Sequence, residues 1–473
     1  MSRLFTLLLL LGTVAQTFGQ TESSQSFTLD QCIKYALDNA VDVKNAVLDE
    51  RIAQAKVRET VGIGLPQVSG TVSVIHNQKL PRFFTTYDPN GGFFDFSGVN
   101  GIQAGDVIAA QNFFQLKSSG NASVSVNQIL FNGSYLVGLQ AANAYKDLSI
   151  KTSGQTREKI VEQVTKAYYS VLVNREQMKL FDSNIQRVDS LFKTTRAMFE
   201  NGFAESIDVD RIEVNLNNLI TEKSKFEKLQ ELSVELLKFQ MNYPYDSPLE
   251  VVGELTNETI QADLNGYLAD WDYKNRPDYQ VLETNRKLQS LNLKNTYAAG
   301  LPSLSANANL GYTTQSPSIS GLFKTNSNVT DDGFVGPDKW YSFSSFGVTM
   351  NIPIFSGLQR SYKVQQEKLT LQKIENGFTS LERGIDIEIK RATIAYQNSE
   401  EALEAQTRNM KLAENIARVT KIKYEQGVGS NLEVVDAEAS LRESQINYYN
   451  ALFDAAIAKT DLDKAFGKLL NNN

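Results

Sequence analysis

The sequence predicts an α+β membrane protein in which a β-barrel is continued by a long α-helical coiled-coil barrel. Three observations predict this fold class. Four short segments alternate apolar residues with polar, uncharged ones, as strands between lipid and water do. Two stretches, residues 133–201 and 357–426, contain no proline and few glycines, as very long helices require. The first half of the 473-residue chain is also repeated in the second half.

The first residues indicate export from the cytoplasm. Residues 1–3 form a short region with one positive charge, residues 4–11 are almost wholly apolar, and Gly19 is a small residue suited to cleavage. This pattern predicts a signal peptide over residues 1–19, with an N-terminal membrane anchor as the alternative. No cysteine lies directly after the predicted cut, since the only one is Cys32, so we expect no lipid anchor there. The net charge of −7 argues against a nucleic-acid partner, because phosphates require a basic surface.

An internal duplication organises the chain. Three motifs recur in the same order, at offsets of 236, 224 and 225 residues. The first copies begin at Gly64, Leu130 and Phe199, and their partners begin at Gly300, Ile354 and Tyr424. We therefore expect a first structural repeat over residues 20–242, an inter-repeat linker over 243–274 and a second repeat over 275–470. Each repeat is predicted as helix, strand, long loop, strand, very long helix, tight turn and helix.

The predicted helices have a defined start and a narrow apolar face. Thr28 and Gln31 are spaced as a capping box, which predicts a helix from there to about residue 60. At 1.5 Å per residue, each proline-free stretch would be about 100 Å long as one helix. In the last helix, apolar residues recur at seven-residue steps in a first row of Leu432, Ala439, Ile446 and Phe453. A second row consists of Val435, Tyr449 and Ala456, with Arg442 as an interruption. This spacing predicts coiled-coil packing, and the helices alone would also fit a soluble coiled-coil rod.

The predicted strands favour a membrane barrel over that rod. They cover residues 68–74, 122–127, 304–310 and 346–352, and each has one apolar face and one polar, uncharged face. Trp340 and Tyr341 suit an aromatic girdle at a membrane interface. A soluble β-sandwich is the alternative explanation of the alternation. Four strands cannot close a barrel, and lipid does not tolerate an open edge, so other copies of the chain must complete it.

The chain resembles the TolC-type outer-membrane efflux protein family across essentially its whole exported length. The resemblance rests on several ordered motifs, which are Phe27-Thr28-Leu29, the two Gly-Leu-Pro strand entries, Arg276-Pro277-Asp278, residues 202–209 and Tyr424-x-x-Gly427-x-x-Ser430-x-x-Glu433-Val434-x-Asp436-Ala437. It implies a homotrimer with four strands per chain, closed by trimerisation to twelve strands in outer-membrane lipid, and a helical tunnel through the periplasm. It also implies a passive exit channel of a tripartite efflux or type I secretion system, served by a periplasmic adaptor and an inner-membrane pump.

The resemblance also implies a gated periplasmic tip. Gly202 and Gly427 match the two tip turns, where a helix reversal needs a residue at ease with positive φ. Asp208 and Tyr424 match two gate positions, and a phenol that donates to a carboxylate makes a charge-assisted bond of about 1.5–3 kcal/mol. The gate arginine and threonine of the family fall here on Gly429 and Ile207, which predicts a looser gate. The alternative is that Asp208 caps a helix and Tyr424 packs.

Two acidic residues form a second candidate site. Glu433 and Asp436 are three residues apart and therefore share one helix face. The matching family positions carry an acidic ring that faces the lumen, which implies a preference for cations. The alternative is an ordinary solvated face.

Little in the sequence favours catalysis. The only histidine is His76, no His/Cys cluster has the spacing of a metal site, and no glycine-rich loop matches a phosphate cradle. We therefore expect no enzyme, no cofactor and no metal. The remaining alternatives to a channel are a coiled-coil structural or adhesive surface protein and a periplasmic binding or scaffold protein.

Overall fold

The computed structural model describes residues 25–91, 96, 98, 100–110, 112, 114–324 and 339–470. The predicted signal peptide lies outside the described residues. The described residues divide into two compact units. One contains the described residues of the ranges 25–54, 144–288 and 370–470, and the other contains those of the ranges 55–143 and 289–369.

Two pairs of long helices dominate the secondary structure. The elements in chain order are β1 (Gln25–Phe27), α1 (Leu29–Asn39), α2 (Val41–Ile63), β2 (Gln67–His76), β3 (Phe83–Thr86), β4 (Val107–Ala110), β5 (Ser118–Phe131), α3 (Gly133–Glu200), α4 (Ser206–Met241), β6 (Leu249–Val251), α5 (Leu264–Ala269), α6 (Pro277–Ala298), β7 (Ser303–Ser316), β8 (Tyr341–Asn351), α7 (Gln359–Glu425) and α8 (Asn431–Ala465). The two proline-free stretches are confirmed as helices, since α3 has 68 residues and α7 has 67. None of the described helices is both long and apolar enough to cross a membrane.

The N-terminal helix differs from the prediction. The capping box is present, since Gln31 N donates to Thr28 Oγ1 and Thr28 N donates to Gln31 Oε1. The single helix expected up to residue 60 is wrong, because Ala40 has an extended ψ of 135° and separates α1 from α2. The side chain of Asn39 donates to the carbonyl of Tyr35, and the carbonyl of Asn39 accepts from Asn242. These bonds take up groups near the end of α1 and favour a break there.

The four predicted strands form one antiparallel sheet in the order β2-β5-β7-β8. Cross-strand partners lie on the same face, and the register places Val68, Val126, Ala308 and Phe346 in one row. The neighbouring row contains Ser69, Ser125, Asn309 and Ser345. The predicted alternation is therefore confirmed as one apolar and one polar face. The apolar row is exposed in the single chain, since Val68 is 66% exposed and Phe346 is 77% exposed. A small hairpin of β3 and β4 in the first long loop was not predicted.

The residues predicted as a linker contain structured elements. Strand β6 pairs in parallel with β1, so that Phe27 lies opposite Val251. Helix α5 carries Tyr267, whose ring packs edge-on against Phe466. The backbone carbonyls of Val251 and Gly253 accept hydrogen bonds from the guanidinium of Arg175 on α3. Residues 243–274 are thus packed against the long helices of their own compact unit.

The buried face of α8 only partly matches the predicted one. Val435 and Ile446 pack against a buried cluster and Ala456 is buried, as predicted. Leu432 is 50% exposed, whereas Val434 and Leu441, seven residues apart, are buried. A second buried row at seven-residue steps includes Glu438 and Gln445. Hydrophobicity alone misses these further rows because polar residues occupy part of one of them. The coiled-coil repeat was therefore predicted correctly, and its buried face was predicted in part.

Candidate functional site at the two helix turns

The two tip turns, residues 201–205 and 426–430, have the same backbone geometry. Gly202 has φ of +82° and Gly427 has φ of +73°, which confirms the expected left-handed conformation at both. In the first turn the N–H of Phe203 donates to the carbonyl of Met198, and in the second the N–H of Val428 donates to the carbonyl of Lys423. Such bonds close a helix end around a glycine and reverse the chain tightly.

Tyr424 lies in a buried contact between α7 and α3. Its hydroxyl is 2.8 Å from the Thr195 hydroxyl and 3.7 Å from the sulfur of Met198. Tyr424 is 8% exposed and Thr195 is fully buried, so water does not compete for their hydrogen bond. The contact joins the first helical hairpin, α3–α4, to the second, α7–α8.

Asp208 lies in the first turn of α4, and its backbone also joins the two hairpins. The side-chain amide of Asn431 on α8 donates to the Asp208 carbonyl at 3.0 Å. The Asp208 carboxylate is 3.7 Å from the guanidinium of Arg211, one turn along the same helix. The expected bond from Tyr424 to Asp208 is not formed within the described chain, because the buried Thr195 hydroxyl takes the phenol. Asp208 does not cap α4 either, since that N-cap is Glu205 without a side-chain bond.

The two departures from the family pattern have different surroundings. Ile207 is 50% exposed at the start of α4. Gly429 lies against the end of α7, where an added Cβ atom would be 3.0 Å from the Tyr424 backbone nitrogen. A side chain at position 429 would therefore crowd the backbone that holds Tyr424.

The two acidic candidates lie together on the first two turns of α8. Ser430 caps this helix by accepting a hydrogen bond from Glu433 N at 3.2 Å. Glu433 and Asp436 are both exposed, and neither makes an ion pair with any residue that the structure describes. Negative charge near a helix N-terminus is favourable, so Glu433 also stabilises α8. The structure brings these carboxylates together on one face, as the spacing predicted.

Sequence reasoning missed the other contacts that join the hairpins. Arg187 Nε on α3 is 3.0 Å from Glu438 Oε2 on α8, and Glu438 is 8% exposed. Gln177 on α3 donates to Asn450 on α8 at 3.1 Å. A signal for one of them was present, because Glu438 lies seven residues after Asn431 and buried polar residues in coiled coils commonly pair across helices.

Solved structures define the class of protein to which this fold belongs. A structure of CusC, reported for folding and transmembrane channel formation, superposes with a TM-score of 0.69 at 16% identity, covering 93% of this chain and 91% of that one. The outer membrane protein VceC from Vibrio cholerae has a TM-score of 0.67 at 15% identity and coverages of 93% and 96%. The Campylobacter jejuni CmeC outer membrane channel has a TM-score of 0.67 at 16% identity, with coverages of 93% and 85%. The fold is that of outer-membrane channel proteins.

Sequence relatives agree with this class. The probable efflux pump outer membrane protein TtgC of Pseudomonas putida is 24% identical over 443 residues, which are 93% of this chain and 82% of the relative. The outer membrane protein TolC of Vibrio cholerae is 19% identical over 351 residues, 74% of this chain and 77% of the relative. The profile of the outer membrane efflux protein family matches residues 32–237 and 273–468. The chain belongs to the outer membrane efflux protein family, and its role is that of an outer-membrane exit channel.

Proposed function

We propose that three copies of this chain close a twelve-stranded barrel in the outer membrane. The observation that carries the proposal is the sheet β2-β5-β7-β8, in which β2 and β8 each pair on one side only within the described chain. Lipid cannot hydrogen-bond an open strand edge, so β8 of one copy would pair with β2 of the next. The four strands have 10, 14, 14 and 11 residues, enough to cross a bilayer when tilted.

An apolar stripe on α4 also supports assembly with further copies. Leu229, Leu232, Leu236 and Phe239 follow one another at three- or four-residue steps on one helix face, and they are 48–64% exposed in the single chain. A continuous apolar stripe of this kind is covered in the functional state of a soluble helix. A neighbouring copy would cover it without any contribution from lipid.

The assembled chain would conduct its cargo passively. We propose that the helical part lies in the periplasm and that the tip turns meet a periplasmic adaptor, which links them to an inner-membrane pump. The name of the relative TtgC, an efflux pump outer membrane protein, supports a tripartite efflux system. The two matches to the family profile support a duplicated architecture, with repeats over residues 20–242 and 275–470. No described group of three or more histidine, cysteine or acidic side chains is arranged to hold a metal.

The gate would lie between the two helical hairpins. The bonds from Tyr424 to Thr195 and from Asn431 to the Asp208 carbonyl both run from one hairpin to the other. A movement of α7–α8 away from α3–α4 would break both bonds, so they favour the closed state. Among the described residues, the Asp208 carboxylate pairs only with the guanidinium of Arg211 at 3.7 Å, which leaves it available to a neighbouring copy.

Glu433 and Asp436 would form an acidic ring at the tip. Two carboxylates from each of three chains would create a negative electrostatic potential at the tip of the channel. This potential would attract cations, and multivalent cations would block the channel there.

Assembly can be tested by native mass spectrometry of the purified chain and by its mobility on gels with and without heating. We expect a trimer with heat-modifiable mobility, which Leu232→Glu with Leu236→Glu disrupts. The control Ser224→Glu, at an exposed position of α4 outside the stripe, should retain both properties. A monomer without heat-modifiable mobility would instead favour a coiled-coil structural or adhesive surface protein.

A further inference from the structure

A groove of about 970 Å³ lies where α1 meets α2, in the compact unit that contains both helices. The groove forms because the helix is interrupted at Ala40, so that α1 and α2 are not one continuous helix. The apolar part of its lining consists of Ile33, Leu37, Val43, Val47 and Leu48. Ile33 and Val43 are buried, and Leu48 is 50% exposed. The groove therefore offers an apolar surface that reaches from the core to the solvent.

The charged part of the lining is mostly cationic. It consists of Lys34, Lys44, Arg51 and Arg157, with Asp30 and Asp38 as the acidic members. Among the described residues, neither Arg51 nor Arg157 makes an ion pair or side-chain hydrogen bond, and Lys44 donates only to the neutral amide of Asn39. Four cations against two carboxylates leave the groove positive, on a chain whose net charge is −7. This local excess is the reverse of what the overall composition predicts.

We propose that this groove binds a small anionic amphiphile, with a carboxylate or sulfonate head and an apolar body. The volume is at the upper end of the range for small-molecule sites, about 300–1,000 Å³. The guanidinium groups of Arg51 and Arg157 present donors in the planar fork that suits a carboxylate or sulfonate. The side chains of Leu37 and Val47 are half-buried and would cover the apolar body.

This site shares no residue with the candidate gate at the two helix turns. It contains neither the tip residues nor the acidic pair on α8, and α1 and α2 contribute ten of the eleven lining residues. The proposal therefore does not depend on conduction, and the two can fail independently.

The test uses the full chain in nanodiscs of zwitterionic lipid, titrated with the fluorescent probe dansylaminoundecanoic acid. Its methyl ester is the matched neutral probe, and empty nanodiscs give the background from lipid. We expect saturable binding of one acid molecule per chain and much weaker binding of the ester. Arg51→Glu and Arg157→Glu should each weaken binding by at least about tenfold, because each removes a charge-assisted contact. Arg58→Glu, an exposed site on α2 outside the groove, is the charge-matched control and should bind as the wild type does.

Three results would overturn the proposal. One is equal affinity for the acid and the ester, which would show an apolar surface without recognition of the anion. Another is an equal loss of affinity in the Arg58→Glu control, which would show a general effect of charge. The third is the absence of saturable binding to the assembled protein, which would show that a neighbouring copy covers the groove. Lys34→Glu serves as a further variant if Arg157→Glu does not assemble, and single-channel currents of the same preparation report on conduction separately.

Discussion

Replacing Tyr424 with phenylalanine removes a hydroxyl group that joins the two helical hairpins of one chain. The phenol and the Thr195 hydroxyl are 2.8 Å apart, and both residues are buried. In Tyr424→Phe the Thr195 hydroxyl stays buried without this partner, which costs about 1–3 kcal/mol. If opening of the tip also breaks the bond, the cost falls on the closed state alone. The ratio of open to closed channels should then rise by about 5- to 150-fold for each Tyr424–Thr195 hydrogen bond that is removed.

The double variant Thr195→Val with Tyr424→Phe distinguishes the effect of an unsatisfied buried hydroxyl group from the effect of altered side-chain packing. It removes both polar groups together, and such a replacement is nearly neutral when the shape is retained. We therefore expect its open probability to lie closer to the wild type than that of either single variant. The assay is the open probability of single channels in planar lipid bilayers at fixed voltage. Tyr362→Phe, at a tyrosine that is 62% exposed, is the control and should behave as the wild type does.

One outcome would refute this reasoning about the gate. If Tyr424→Phe lowers the midpoint of thermal unfolding and leaves the open probability unchanged, the bond persists through opening. Tyr424 would then be a packing residue of the α3–α7 contact, and the gate would lie elsewhere at the tip.

The remaining predictions concern charge. Glu433→Gln with Asp436→Asn should reduce the cation preference, measured as a smaller reversal potential in a salt gradient, and an unchanged potential would place these carboxylates outside the conduction path. Arg187→Leu should lower the free energy of unfolding by about 3 kcal/mol, because it leaves the buried Glu438 carboxylate without its partner. This value is at the low end for buried ion pairs, since the Arg187 side chain is 30% exposed. Adding Glu438→Leu should recover most of the loss, as measured by thermal unfolding. Burial raises the pKa of Glu158 from 4.5 to about 7, so its contribution to stability is fully present below about pH 4.5 and is lost as the pH rises through 7. Glu158→Gln should therefore unfold at a higher temperature than the wild type at about pH 8 and at the same temperature near pH 4, and a constant difference would contradict this.

Periodicity was sufficient to predict the regular elements. The strands were found because one face meets polar surroundings and the other does not, which imposes a period of two that short windows reveal. The long helices were found because these stretches contain no proline and few glycines, which are the residues that most disfavour a helix interior. The positions of the two turns were expected from the repeated glycine motif and the family resemblance, and Gly202 and Gly427 both have the left-handed conformation that a tight helix reversal requires.

Side-chain partners were harder to predict, for a physical reason. A residue such as Thr195 is one of many hydroxyl-bearing residues on a long helix, and only the packing of α7 against α3 places it beside Tyr424. The buried row of α8 was missed because Glu438 is polar and looks like a surface residue until Arg187 is known to reach it. The break was missed because Ala40 itself is a strong helix former, and the bonds that accompany the break come partly from Asn242, about two hundred residues away.

Single-channel recording of the assembled wild-type protein in a planar lipid bilayer tests the central claim most directly. The account predicts discrete current steps that are small in the wild type, become more frequent in Tyr424→Phe and carry mainly cations. A preparation shown to be trimeric by native mass spectrometry that gives no current steps, either as wild type or as Tyr424→Phe, would contradict the claim that this chain forms a gated exit channel.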